Sequence, residues 1–126
     1  MSTAAILGHH LGAFSEGIES IMQDYTDDSV LFTADGPLRG REQLRAFFAG
    51  FLRTSPPELL RAMTLVRQDV HADFAYIIWK AEPFIPLATD TFVIRDDKIV
   101  AQSFVAFVPS AASGVDQASA VAVDTA

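Results

Sequence analysis

Asp90 lies inside the run LATDTFVI, where a carboxylate has almost no charged company. Burial in such apolar surroundings disfavours the ionised form and can raise a carboxyl pKa by several units. A group tuned that way can donate a hydrogen bond or exchange a proton near neutral pH. On the outer side of a strand the same residue would instead face solvent or pair with an arginine such as Arg67. His10 is the second candidate. Ile6, Leu7, His10, Leu11 and Phe14 share one face at helical spacing, and His9 falls off it. An imidazole there could donate to a ligand oxygen or act as a base, given its ordinary pKa of about 6.5. It could equally be a satisfied core residue. Asp27-Asp28 has no third ligand nearby in sequence and reads as a solvated helix end, so no metal site and no cofactor are expected. The absence of cysteine excludes disulfides and thiol chemistry.

These side chains must be positioned by three helices and four long strands. The first helix runs from about Thr3, a plausible N-cap, to about Ser15. A second follows Gly17, with Ile18, Ile21, Met22 and Tyr25 in phase, and Asp27 and Asp28 end it. Ser29 to Thr33 forms a short buried strand, and Asp35-Gly36-Pro37 is a turn signal. The third helix carries the stripe Leu44, Phe47, Phe48, Phe51 and Leu52, Arg41 at its start reads as a surface cation, and Ser55-Pro56-Pro57 breaks the helix. Strands follow over Leu60 to His71, Phe74 to Glu82, Leu87 to Arg95 and Lys98 to Val108, with turns at Ala72-Asp73 and Asp96-Asp97. This order predicts an α+β domain over 1–108, with the helices on one face of a curved antiparallel sheet. Residues 109–126, rich in Ala and Ser without helical or strand phase, read as a disordered tail.

At 126 residues with half of them hydrophobic, the chain can bury one sizeable core. Its net charge of −7 argues against nucleic acid as a partner. No apolar run approaches the roughly 20 residues of a membrane span, and no basic segment precedes the N-terminal apolar residues. A cytoplasmic protein with no membrane partner is expected.

YTDDSV before the first strand, GREQL opening the third helix and DTFVIRDDKIVAQSF near the end occur in an order that resembles the nuclear transport factor 2-like superfamily. That superfamily includes the ketosteroid isomerases and SnoaL-like polyketide cyclases, and the resemblance covers about Ala5 to Val108. It implies a cone-shaped sheet with three helices packed on its concave face and one apolar pocket. Phe14, Phe48, Trp79 and Phe104 would line that pocket, with Gln102 on the same face as Phe104, and His10 and Asp90 would be its acid–base groups. Counting back from Tyr25 without a gap places the isomerases' oxyanion-binding position at His9; a loop one residue shorter places it at His10.

Departures accompany the resemblance. Thr33 stands where the isomerases keep their catalytic aspartate, and would contribute only to substrate binding. Phe48 replaces a pocket tyrosine. Ile77-Ile78-Trp79 lacks the Arg-x-Asp of epoxide hydrolases of this fold, and Phe104 stands near the last-strand aspartate of those enzymes and of the cyclases. The resemblance therefore implies a pocket for a hydrophobic ring-type carbonyl compound, steroid-, polyketide- or terpenoid-like. Its chemistry would be isomerisation, cyclisation or dehydration by proton transfer; the alternative is a non-catalytic binding or dimerisation domain. Tyr76, Ile78, Val105 and Phe107 make the outer sheet face apolar, which points to a homodimer.

Overall fold

The computed structural model describes residues 1–109; positions 110–126, read above as most of a disordered tail, lie outside the described residues. Four helices, α1 (Thr3–Ala13), α2 (Ile18–Met22), α3 (Gly40–Thr54) and α4 (Pro57–Ala62), accompany six strands. The strands are β1 (Tyr25–Thr33), β2 (Gly36–Arg39), β3 (Met63–His71), β4 (Phe74–Ala81), β5 (Ile85–Arg95) and β6 (Lys98–Phe107). They form one curved, unclosed sheet in the order β2-β1-β6-β5-β4-β3. The α+β class stands.

The sheet is mixed rather than wholly antiparallel. β3 to β6 form antiparallel hairpins through short turns, and Asp96 and Asp97 both take positive φ, as a two-residue hairpin turn requires. β1 arrives from the helical half of the chain and pairs with β6 in parallel, which only a long crossover permits.

Burial alternates along β4 and along β5 from Ala88 onward, so one face of the sheet is core. α1 covers it with Ile6, Leu7 and His10, and α3 with Leu44 and Phe48. Phe92 and Leu31 are fully buried beneath them. Each such side chain contributes about 1.5–3 kcal/mol through apolar burial.

Several boundaries differ from the expectation. Ser2 rather than Thr3 caps α1, accepting the Ala5 N–H at 3.0 Å, while the Thr3 hydroxyl donates to the Ala72 carbonyl. A fourth helix begins at Pro57, where proline suits the first helical turn, and takes residues 60–62 out of the expected strand. β1 begins at Tyr25, because α2 stops at Met22 and the Asp24 carbonyl accepts the Ile99 N–H at 2.7 Å. Asp27 and Asp28 therefore lie exposed in an irregularity of β1, between its pairings at Tyr25 and Val30, and not at a helix end. Gly40 fits this corner: its φ is +85°, and a Cβ there would approach the Asp27 carbonyl oxygen to 3.2 Å. Among the described residues no helix is long and apolar enough to cross a membrane.

Candidate functional site

Trp79 of β4, Asp90 of β5 and Gln102 of β6 all point from the core face of the sheet. Asp90 sits opposite Ile77 on one side and Phe104 on the other, so Trp79 and Gln102 are its diagonal neighbours. Long side chains reach across that spacing. Trp79 Nε1–H donates to Asp90 Oδ1 at 2.8 Å, and Gln102 Nε2–H donates to Asp90 Oδ2 at 2.8 Å. The Tyr25 hydroxyl, buried in turn, donates to Gln102 Oε1 at 2.5 Å. Four strands thus contribute to one buried chain of hydrogen bonds. Burial pushes the Asp90 carboxyl up to about 6, and the two N–H donors hold it from rising further. Arg67, the alternative partner, instead pairs with Asp69 at the sheet edge.

His10 comes from α1 and is 2% exposed. Phe14, Tyr25, Phe48 and Phe92 surround its ring edge-on, with centroids 5.2 to 6.2 Å away. Burial among them, with His9 adding a smaller repulsion, pushes its pKa down to about 3. The imidazole is neutral at physiological pH, with one N–H donor and one acceptor nitrogen. Its Nδ1 is buried with no hydrogen-bond partner among the described residues. His9 takes a different role: its Nδ1 meets the buried Asp24 carboxylate at 2.8 Å. Burial raises the Asp24 pKa against the pull of that hydrogen bond.

Between the helices and the sheet lies a cavity of about 220 Å³. Phe14, Phe48, Trp79, Gln102 and Phe104 line it together with His10 and Asp90, and Phe47, Phe51 and Met63 complete much of the apolar wall. The Trp79 and Phe104 rings stack with centroids 6.3 Å apart. The cavity brings together seven of the eight residues singled out from the sequence. Thr33 is the exception. Its hydroxyl donates to the Gly36 carbonyl at 2.8 Å and accepts the Asp35 N–H, so it shapes the β1–β2 turn and does not line the cavity.

Two residues matter here that the sequence placed elsewhere. Tyr25 fits the helical phase of Ile18, Ile21 and Met22 and reads as simple core, yet its hydroxyl fixes Gln102. Arg41, read as a surface cation, is half-buried and donates to the carbonyls of Met22 and Tyr25, tying the start of α3 to the start of β1. Among the described residues no group of three His, Asp or Glu could hold a metal.

No protein-family model matches the chain, and no curated protein matches its sequence. Solved structures do match its fold. A nuclear transport factor 2-like protein of unknown function from Burkholderia xenovorans superposes with a TM-score of 0.69 at 15% identity, over 98% of this chain and 95% of its own. A SnoaL-like protein of unknown function from Burkholderia thailandensis gives 0.66 at 17% identity, over 83% and 94%. A candidate polyketide cyclase from Sinorhizobium meliloti gives 0.65 at 14% identity, over 79% and 93%. The chain therefore has the nuclear transport factor 2-like fold that its sequence resembles. At these identities the likeness carries fold and no activity.

Proposed function

We propose that the cavity binds a small hydrophobic ring compound bearing a carbonyl group, and that Asp90 moves a proton on it while His10 stabilises the charge that develops. One observation carries this reading: two buried titratable side chains, one acid and one base, line a single cavity that is otherwise almost wholly apolar. Such a cavity with a few convergent polar groups is the usual form of a small-molecule site. Its volume of about 220 Å³ exceeds the roughly 150 Å³ that admits benzene and falls below the roughly 300 Å³ of smaller drug-type pockets. That size favours one or two rings, polyketide- or terpenoid-like, over a four-ring steroid.

The chemistry follows from the two protonation states. The Asp90 carboxylate takes a proton from the carbon next to the carbonyl, forming an O–H bond as the C–H bond breaks. The electron pair moves onto the carbonyl oxygen, where the neutral His10 N–H stabilises the developing charge. In a ring ketone with a carbon–carbon double bond adjoining the carbon that lost the proton, the proton returns to the far end of that double bond. The electron pair moves back from oxygen as it does so, which completes an isomerisation. A carboxyl near pKa 6 suits that exchange at neutral pH. The likeness to a candidate polyketide cyclase agrees with this class of substrate.

Native mass spectrometry against bicyclic aromatic ketones tests the binding. Hits should weaken at least tenfold in His10→Ala and in Asp90→Asn, and unchanged affinity in both would remove the assigned roles. Thr33, turned into the β1–β2 hairpin where the isomerases hold their base, supports a second reading as a binding domain without turnover. Deuterium uptake from solvent into a bound ketone separates the two: an acid–base site exchanges the hydrogen next to the carbonyl, and a binding domain does not. On the outer sheet face, Phe32, Leu87, Val105 and Phe107 are each about half exposed, which supports pairing with a second copy of the chain. Sedimentation as a monomer at micromolar concentration would contradict that pairing.

A further inference from the structure

Trp79 and Gln102 meet Asp90 in ways that restrict what Asp90 can do. The Trp79 indole nitrogen can only donate. Gln102 could in principle present either end of its amide, and Tyr25 decides which. The Tyr25 hydroxyl is buried, and Gln102 Oε1 is the acceptor for its hydrogen among the described residues. Turning the amide over would aim Gln102 Nε2 at the hydroxyl oxygen and leave the hydroxyl hydrogen buried without an acceptor. Gln102 is thereby held with its N–H toward Asp90. Both protein partners of the carboxylate are then donors, and neither can accept a proton from it.

We propose that Tyr25 and Gln102 are positioning residues that, with Trp79, hold Asp90 as a proton acceptor, so that the cavity selects ligands presenting an enolic or phenolic O–H to Asp90 over ligands presenting a bare oxygen there. This rests on the cavity being the ligand site, as proposed above, and narrows the substrate class to enolisable ring ketones. Their oxygen meets His10 and their acidic hydrogen meets Asp90.

The groups that face Asp90 leave its own titration legible. From α1 comes His10, which stays neutral down to about pH 3, and from β1 comes Tyr25, whose pKa burial raises well above 10. The cavity-lining side chains of α3, β3, β4 and β6 carry no ionisable group. Between about pH 5 and 8 the site therefore changes charge at Asp90.

Calorimetric titration of the full chain with three probes of matched size tests the proposal: 2-naphthol (an O–H donor), 2-methoxynaphthalene (an acceptor only) and naphthalene. At pH 7.5 naphthol should bind about tenfold more tightly than the ether, the usual effect of one well-placed hydrogen bond to a charged group. That ratio should shrink as pH falls below about 6, because a protonated carboxyl accepts poorly and can itself donate to the ether. In Tyr25→Phe the amide is free to turn, so the ratio should fall several-fold and its pH midpoint should rise by about one pH unit. A loss of packing alone would weaken all three probes equally and leave ratio and midpoint where they were. If Tyr25→Phe does not fold, the sign of the wild-type pH dependence decides. A ratio near one, a preference for the ether, or a ratio independent of pH overturns the proposal while leaving the cavity as a ligand site. Failure of all three probes to bind removes the ligand site and the proposal together.

Discussion

Replacing Asp90 by asparagine puts a second amide donor at the point where Gln102 presents its own N–H. The new amide can keep its oxygen on Trp79 Nε1 only by aiming its nitrogen at Gln102. Gln102 must then turn over, and the Tyr25 hydroxyl hydrogen loses its acceptor. One buried unsatisfied group costs about 1–3 kcal/mol. The substitution also removes a buried carboxylate whose pKa is raised from 3.8 to about 6, worth about 3 kcal/mol at neutral pH. Asp90→Asn alone should therefore change stability little, through two offsetting effects. The informative quantity is the coupling to Tyr25→Phe. In the wild-type chain Tyr25→Phe leaves Gln102 Oε1 unsatisfied and should cost about 1–3 kcal/mol. In the Asp90→Asn chain the amide has already turned, the Tyr25 hydroxyl is already unsatisfied, and Tyr25→Phe should cost close to nothing. Urea unfolding of all four chains at pH 7 measures this, with a midpoint difference between the two Tyr25→Phe steps of about 1 M. A cycle that closes to within about 0.5 kcal/mol means that Tyr25 does not hold the Gln102 amide, and refutes the reasoning.

His10 and Asp90 make opposite contributions to acid stability. His10 has a folded pKa below its unfolded value, so its contribution is present above about pH 6.5 and is lost as pH falls toward about 3. Asp90 has a folded pKa above its unfolded value, so its contribution is present below about pH 3.8 and is lost as pH rises through about 6. Relative to wild type, His10→Phe should gain stability on going from pH 7 to 4 and Asp90→Asn should lose it; urea midpoints that move the same way in both would contradict the assignment. Arg41→Ala should destabilise by about 1.5–3 kcal/mol through two lost charge-assisted hydrogen bonds, whereas a surface cation would change thermal stability by less than about 0.5 kcal/mol. Gly40→Ala should cost more than about 1 kcal/mol, since it strains a positive φ and crowds the Asp27 carbonyl; a neutral result by chemical denaturation would mean that this corner relaxes freely.

The cavity's walls were largely legible because one face of the sheet is core. Alternation along β4 and β5 places Ile77, Trp79, Asp90 and Phe92 together once any one of them is assigned inward. The helical phase of Ile6, Leu7 and Leu11 likewise separates His10 from His9, and the structure gives the two histidines different partners. Tyr25 was hidden because it satisfies two patterns at once. It continues the spacing of α2, and it also begins a strand whose partner for its hydroxyl lies 77 residues further on. Arg41 was hidden for a related reason: its acceptors are backbone carbonyls, which no side-chain pattern marks.

Gln102 shows where alternation stops being a guide. Arg95 pairs with Lys98 across the β5–β6 turn, and carrying that register onward would place Gln102 opposite Thr91, on the outer face. The register shifts by one residue between Val93 and Ile94, and Gln102 instead falls opposite Phe92. Such a bulge reverses which residues of a strand face inward. Ile99 and Gln102 are both buried although an odd number of positions separates them. The hydrogen bond that fixes the polarity of Asp90 thus depends on the extra β6 residue near Val100 and Ala101 being taken up as a bulge. Deleting Val100 would restore regular pairing and leave Gln102 opposite Phe92 and Phe104 opposite Asp90, so the Asp90 titration, followed by carboxyl-carbon NMR, should stay at about 6. Gln102→Leu keeps the register and removes one of the two donors, and should move that titration above its present value. An unchanged titration in folded Gln102→Leu would show that Gln102 does not govern Asp90.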